Sequence, residues 1–282
     1  MDKLFHTADG SLRNGWKALL FGLAAALCSG FAATFAGALP GTAPRLPAAW
    51  FSFAAFLGLS WVFLELEGRP LGSVGLQLDR RWARELMLGA AAGATLMGLM
   101  ALGAHLGGGF HLARSPHAGF GQLLAGAWLY LGVAFSEELL FRGYAFQRLL
   151  RGMGLWPAQA RMALLFAGMH WPNPGMAGAT RAWASLSITL AAILLGLCYL
   201  RTRSLALPIG LHLGWNWTQG SLLGFAVSGL HGPGWWTPVL HHRPSWITGG
   251  SFGLEATLPC AVVAAGACLA LAWRPINSLL NE

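Results

Sequence analysis

The chain has 282 residues, 55% of them hydrophobic and only 10% charged, with 18 Lys and Arg against 10 Asp and Glu. Soluble domains carry about 25% charged residues, so a soluble globular class is excluded. The formal charge of +8 does not point to nucleic acid, because the basic residues lie between apolar runs, where membrane topology accounts for them.

In chain order, residues 1–15 read as a short polar leader on the cytoplasmic side. A run of about 20 apolar residues crosses a bilayer. By that measure the sequence predicts eight spans, at about 16–39, 48–64, 85–107, 122–146, 157–172, 183–200, 205–225 and 253–273. The first is longer than the apolar stretch of a signal peptide, about 7–15 residues, and is read as a retained helix. The third holds Gly89-Ala-Ala-Ala-Gly93, small residues one turn apart, which suit either a close helix contact or general Gly/Ala richness. The fifth is short and ends at Trp171-Pro-Asn-Pro174; the seventh contains Pro208, marking a helix start or a kink. The loop 230–250, with Trp235, Trp236 and Trp246, is expected at the outer interface. Residues 16–275 thus form a single integral membrane domain, with a core at 120–225 and a cytoplasmic tail at 276–282. The fold class is all-α, a polytopic transmembrane helical bundle with both termini cytoplasmic.

The basic residues test the span count. With a cytoplasmic N-terminus, thirteen of the 18 fall in inside segments (Lys3, Arg13, Lys17, Arg69, Arg80, Arg81, Arg84, Arg148, Arg151, Arg161, Arg201, Arg203, Arg274). Four fall one to each outside loop (Arg45, Arg114, Arg181, Arg243), and Arg142 lies within the fourth span. This alternation is the positive-inside pattern. Cys28, Cys198, Cys260 and Cys268 all sit in apolar runs without a Cys-x-x-Cys pair and read as small buried hydrophobes.

An ionised residue at the centre of a bilayer costs about 2.5–3.5 kcal/mol on insertion scales, so charges inside spans ask for a reason. Glu137, Glu138 and Arg142 lie together in the fourth span; the other acidic residues, Glu255 among them, are placed at ends or loops. Glu138 and Arg142 have the i, i+4 spacing of an ion pair, while Glu137 points about 100° away. One carboxylate is then neutralised and the other left for base duty, although a purely structural Glu–Arg knot fits the same spacing. His170 and His212 lie deep in the fifth and seventh spans, and Asn216 follows His212 by four residues. Counted from Arg161 and Arg203, both histidines lie roughly 14 Å from the cytoplasmic edge, level with Glu138. Polar groups on three helices at one depth imply one interior site. They can hydrolyse a carbonyl compound: Glu137 takes a proton from water, His170 orients that water, and His212 and Asn216 donate to the oxyanion. Zinc held by two histidines and a glutamate is the metal version, although no His-Glu-x-x-His motif is present.

Glu137-Glu138-x-x-x-Arg142, Phe166-x-x-x-His170 and His212-x-x-x-Asn216 resemble, in that order, the three motifs of the CPBP family of intramembrane proteases. That family includes the type II CAAX prenyl endopeptidases and bacteriocin-processing or immunity proteins. The resemblance covers about residues 120–225. It implies an eight-helix protease with an interior cavity and a glutamate-dependent mechanism needing no cofactor. Glu137, His170, His212 and Asn216 are then catalytic, and Glu138 and Arg142 support them. Its implied partners are the lipid bilayer and a membrane-anchored protein or peptide substrate. A composition rich in Ala, Gly, Leu and Arg points to a bacterial inner membrane. A proton-coupled transporter and a non-catalytic immunity or scaffold protein are the rival expectations.

Overall fold

A computed structural model describes residues 2–38, 45–116 and 118–273. Among these, nine helices of ten or more residues form a bundle. They are α1 Asn14–Gly37, α2 Arg45–Glu65, α3 Arg80–Leu106, α4 Phe120–Arg142, α5 Tyr144–Met153, α6 Leu155–Met169, α7 Gly178–Thr202, α8 Ala206–Asn216 and α9 Leu258–Ala272. Five units are long and apolar enough to cross a membrane: Asn14–Gly37, Leu46–Glu65, Arg80–Leu106, Phe120–Met153 and Gly178–Thr202. The other three expected spans fall on the shorter helices α6, α8 and α9. The protein is a polytopic helical bundle. Arg274 and the tail expected at 276–282 lie outside the described residues.

Local chemistry sets the helix ends. The Asp79 carboxylate accepts from the Trp82 N–H at 2.7 Å and caps α3. Thr257 caps α9 through the Cys260 N–H, with Pro259 in the first turn, where it sacrifices no bond. Pro208 likewise sits in the first turn of α8, so it marks a start and not a kink. The apolar run 122–146 is not one straight helix. It breaks at Gly143, between α4 and α5, where a Cβ would overlap the Leu139 carbonyl oxygen. Hydropathy is blind to that steric break.

The Gly89–Gly93 stripe makes a close backbone contact. A Cβ on Gly93 would run into the Leu211 carbonyl, and one on Gly214 into the Ala90 carbonyl. The two helices α3 and α8 thus approach backbone to backbone, which only glycine permits. After Asn216 the helix widens into a π-helical turn, Trp217–Leu222. The chain then folds back inward, burying Phe225, Ala226, Val227 and Ser228.

Outside the helices, β1 (Phe110–Arg114) and β2 (Trp236–Leu240) pair antiparallel from Phe110↔Leu240 to Arg114↔Trp236. The loop expected at the outer interface is therefore partly a ribbon, a small departure from all-α. At the opposite end, Glu67 accepts from Tyr144 Oη at 2.6 Å and pairs with Lys17 at 3.1 Å and Arg148 at 2.9 Å.

Candidate active site

A cavity of about 350 Å³ lies within the bundle. Its wall includes Glu137 of α4, His170 at the end of α6, and His212 and Asn216 of α8. The rest is largely apolar, with Val133, Ile188, Leu195, Leu211 and Trp215. All four residues singled out from sequence as catalytic thus border one space.

The neighbouring glutamates occupy different surroundings. Glu138 is fully buried, and its Oε1 accepts from Arg142 Nη1 at 3.1 Å and from His212 Nδ1 at 2.8 Å. Its Oε2 is also buried and has no hydrogen-bond partner. Arg142, 2% exposed, gives a second bond from Nη2 to the Ala192 carbonyl at 2.8 Å and lies over the Phe166 ring at 5.1 Å. Glu137 keeps 31% of its side chain exposed, with Oε2 3.8 Å from His212 Nε2. Glu138 is thus more than the neutraliser of Arg142: it also fixes the tautomer and ring orientation of His212, whose Nδ1 must carry a proton to donate.

His170 caps α6, and its Nδ1–H donates to the Phe166 carbonyl at 2.7 Å. In the neutral ring its Nε2 then carries a lone pair. The Phe166 ring lies between the two histidines, with centroids 4.8 Å from His170 and 6.3 Å from His212. Ser136, also on the wall, gives its hydroxyl to the Val133 carbonyl at 2.9 Å, on its own helix. Among the described residues no three His, Cys, Asp or Glu side chains gather closely enough to hold a metal ion.

Sequence reasoning missed one acidic residue. Glu255 is not at an exposed end but 8% exposed, on a short 3₁₀ turn before α9, and it borders the same cavity. Its Oε2 accepts from the Ser228 N–H and from Gln219 Nε2, the latter at 3.2 Å, and both its oxygens lie 3.1 Å from the Ser228 hydroxyl. Ser228 and Asn173 also stand on the wall. The available signal was an acid opening an otherwise charge-free apolar run.

Five helices long and apolar enough to cross a bilayer, packed around a cavity bordered by acids and histidines, define a class: a multi-pass membrane protein. Residues 119–218 match the family described as Type II CAAX prenyl endopeptidase Rce1-like, which is consistent with the CPBP family of intramembrane proteases. That range holds Glu137, Glu138, Arg142, His170, His212 and Asn216, and stops before Glu255. No curated protein and no solved structure matches the chain.

Proposed function

We propose that this protein is a glutamate-dependent intramembrane endopeptidase of a bacterial inner membrane, cleaving a membrane-anchored protein near the bilayer. The observation that carries the reading is the division of labour between adjacent glutamates: Glu138 is buried against Arg142 and His212, while Glu137 borders the cavity that His170, His212 and Asn216 share. A water held by Glu137 and His170 loses one proton to Glu137, and its oxygen attacks the peptide carbonyl carbon. His170 Nε2 accepts a hydrogen bond from the water's second O–H. The carbonyl electrons move onto oxygen, which takes N–H groups from Asn216 and from His212 Nε2. For that donation His212 carries protons on both nitrogens, balanced by the carboxylates on either side. Collapse breaks the C–N bond, and Glu137 returns its proton to the leaving amine.

Deleting the gene in its host and comparing membrane-protein fragments identifies the substrate, as a protein whose fragments become longer. Restoring the gene with Glu137→Gln tests the mechanism, with a loss of about 10²–10⁴-fold expected. Cleavage at the wild-type rate in that variant sinks the reading. Cleavage is also expected to persist in strong chelator; loss on chelation with recovery on added zinc would replace the glutamate–water step with a metal-bound one.

The line Glu137, His212, Glu138, spaced at 3.8 and 2.8 Å, also has the form of a proton relay. A carrier using it loses pH-dependent uptake in Glu137→Gln and shows no longer fragments on deletion.

A further inference from the structure

Away from the cavity, two histidines of the β1–β2 ribbon touch. His111 lies on β1 opposite Val239, and His241 follows β2 by one residue, two places beyond Val239 and so on the same face. The His241 N–H bonds to the Gly109 carbonyl at 2.9 Å, which carries the ladder on to that point. Diagonal neighbours of this kind are within reach of long side chains. His111 Nδ1 and His241 Nε2 stand 2.8 Å apart, with both rings exposed and their centroids 5.1 Å apart.

The direction of that bond follows from its surroundings. His241 Nδ1 lies 3.0 Å from the Gly108 carbonyl oxygen, which can only accept. In the neutral ring the proton is therefore on Nδ1, and Nε2 accepts from His111 Nδ1–H. One added proton goes to His111 Nε2 and leaves the bond in place, now charge-assisted. A second must go to His241 Nε2, the acceptor itself. Two cations then face each other through N–H groups, and the attraction becomes a repulsion.

The neighbourhood adds to that repulsion. The other ionisable groups on the ribbon and the segments bonded to it, among the described residues, are His105, Arg114, His231, His242 and Arg243. The Arg243 Nε lies 3.4 Å from where a Gly108 Cβ would stand, and His105 Nδ1 is 2.9 Å from the Phe110 carbonyl. All are cationic when charged. No Asp or Glu occurs between Glu85 and Glu137 or between Glu138 and Glu255, so these segments carry no carboxylate to compensate.

The ribbon also anchors part of the cavity wall. Phe110 packs edge-on against Phe225 at 4.8 Å between centroids, and the Trp235 N–H bonds to the Ser221 carbonyl at 2.7 Å. Between these anchors the chain passes through Val227, Ser228 and Leu230, which border the cavity.

We propose that the His111–His241 pair is an acid-operated latch: with at most one added proton it clamps the end of β2 onto the start of β1, and with two it releases that end and loosens the wall segment the ribbon anchors. The latch stands on the ribbon geometry; only a consequence for cleavage rests on the protease reading.

The test uses the full chain in lipid nanodiscs, without substrate. Backbone amide exchange read by mass spectrometry, with each rate divided by the unstructured rate at the same pH, reports opening of residues 236–243. The pH is lowered from about 8 to about 5, the range over which histidine takes up its proton. In wild type the protection of 236–243 is expected to fall about tenfold or more, while a peptide from α7 keeps its protection. His111→Gln keeps a partner for either state of His241, donating through its amide nitrogen or accepting through its oxygen, and cannot become a cation. Its ribbon is expected to stay closed, within about twofold, at both pH values. His241→Phe removes the bond altogether, and its ribbon is expected to be equally open at both. A wild-type ribbon that keeps its protection in acid overturns the latch. So does a fall of the same size in His111→Gln, or an equal fall in α7, which marks general loosening. Protection lost at neutral pH on adding strong chelator makes the pair a metal ligand and also overturns it. If the ribbon responds as expected but the wild-type chain cleaves nothing, the latch stands and the protease reading falls.

Discussion

Glu137 and Glu138 are neighbours in sequence and strangers in space. A helix turns about 100° per residue, so each meets its own surroundings: cavity for one, Arg142 and His212 for the other. Their substitutions should separate accordingly. Glu138→Gln leaves the Arg142 guanidinium buried without its anion and is expected to destabilise by about 3–5 kcal/mol, read as a lower melting temperature in detergent. Glu137→Gln should keep the melting temperature and lose cleavage. A third glutamate, Glu67, lies outside the spans. Partial burial opposes its ionisation, yet the Tyr144 hydrogen bond and the charges of Arg148 and Lys17 outweigh that and hold its carboxyl below the usual 4.5. A depressed carboxyl contributes stability above its ordinary value, and that contribution disappears as pH falls through the folded value. Wild type should therefore melt a few degrees above Glu67→Gln at neutral pH, and the gap should close in acid below the ordinary value. Such residues differ in how far sequence reveals them. Glu137, His170, His212 and Asn216 were legible because ionisable and polar groups are rare inside apolar runs. Glu255 was not: Ser228, Gln219 and Asn173, from distant parts of the chain, create its burial.

At the scale of elements, apolar length located the helices but not their interruptions. The break at Gly143 and the π-helical turn at Trp217–Leu222 both lie inside stretches expected from sequence as single spans. Backbone sterics decide the first, and an i→i+5 pattern invisible to hydropathy marks the second. The contact between α3 and α8 is where small residues in the sequence acquire a definite meaning, since it fixes the helix that bears His212 and Asn216. Gly93→Val should push α8 away from α3, lowering yield and melting temperature and abolishing cleavage. Gly98, on the same helix, has nothing within 4 Å of its would-be Cβ, so Gly98→Ala should be neutral or stabilising by up to about 1 kcal/mol. Equal tolerance at both positions would show that the close approach is not needed.

For the whole molecule, the contacts respect the sidedness that the basic residues suggest. Lys17, Glu67 and Arg148, all expected inside, meet one another. Arg81 reaches the Thr202 carbonyl at the end of α7, and residues 110–114 pair with 236–240 on the expected outer side. The short helices carry a further meaning. Helices α6 and α9 have 15 residues each and show Leu164, Leu165, Val262 and Leu269 on the outer surface. At 1.5 Å per residue each is about 22 Å long, against a hydrocarbon core of about 30 Å. Lipid tails beside them must shorten or tilt, at fractions of a kcal/mol per Å of mismatch. The bundle is thus thin where these two helices meet lipid, and cleavage, on the proposed reading, should rise in bilayers of shorter-chain lipid and fall in longer. There the annulus itself is drawn inward, so that, if the protein is the protease proposed, the bilayer becomes part of what brings a substrate's polar end down to the depth of the cavity.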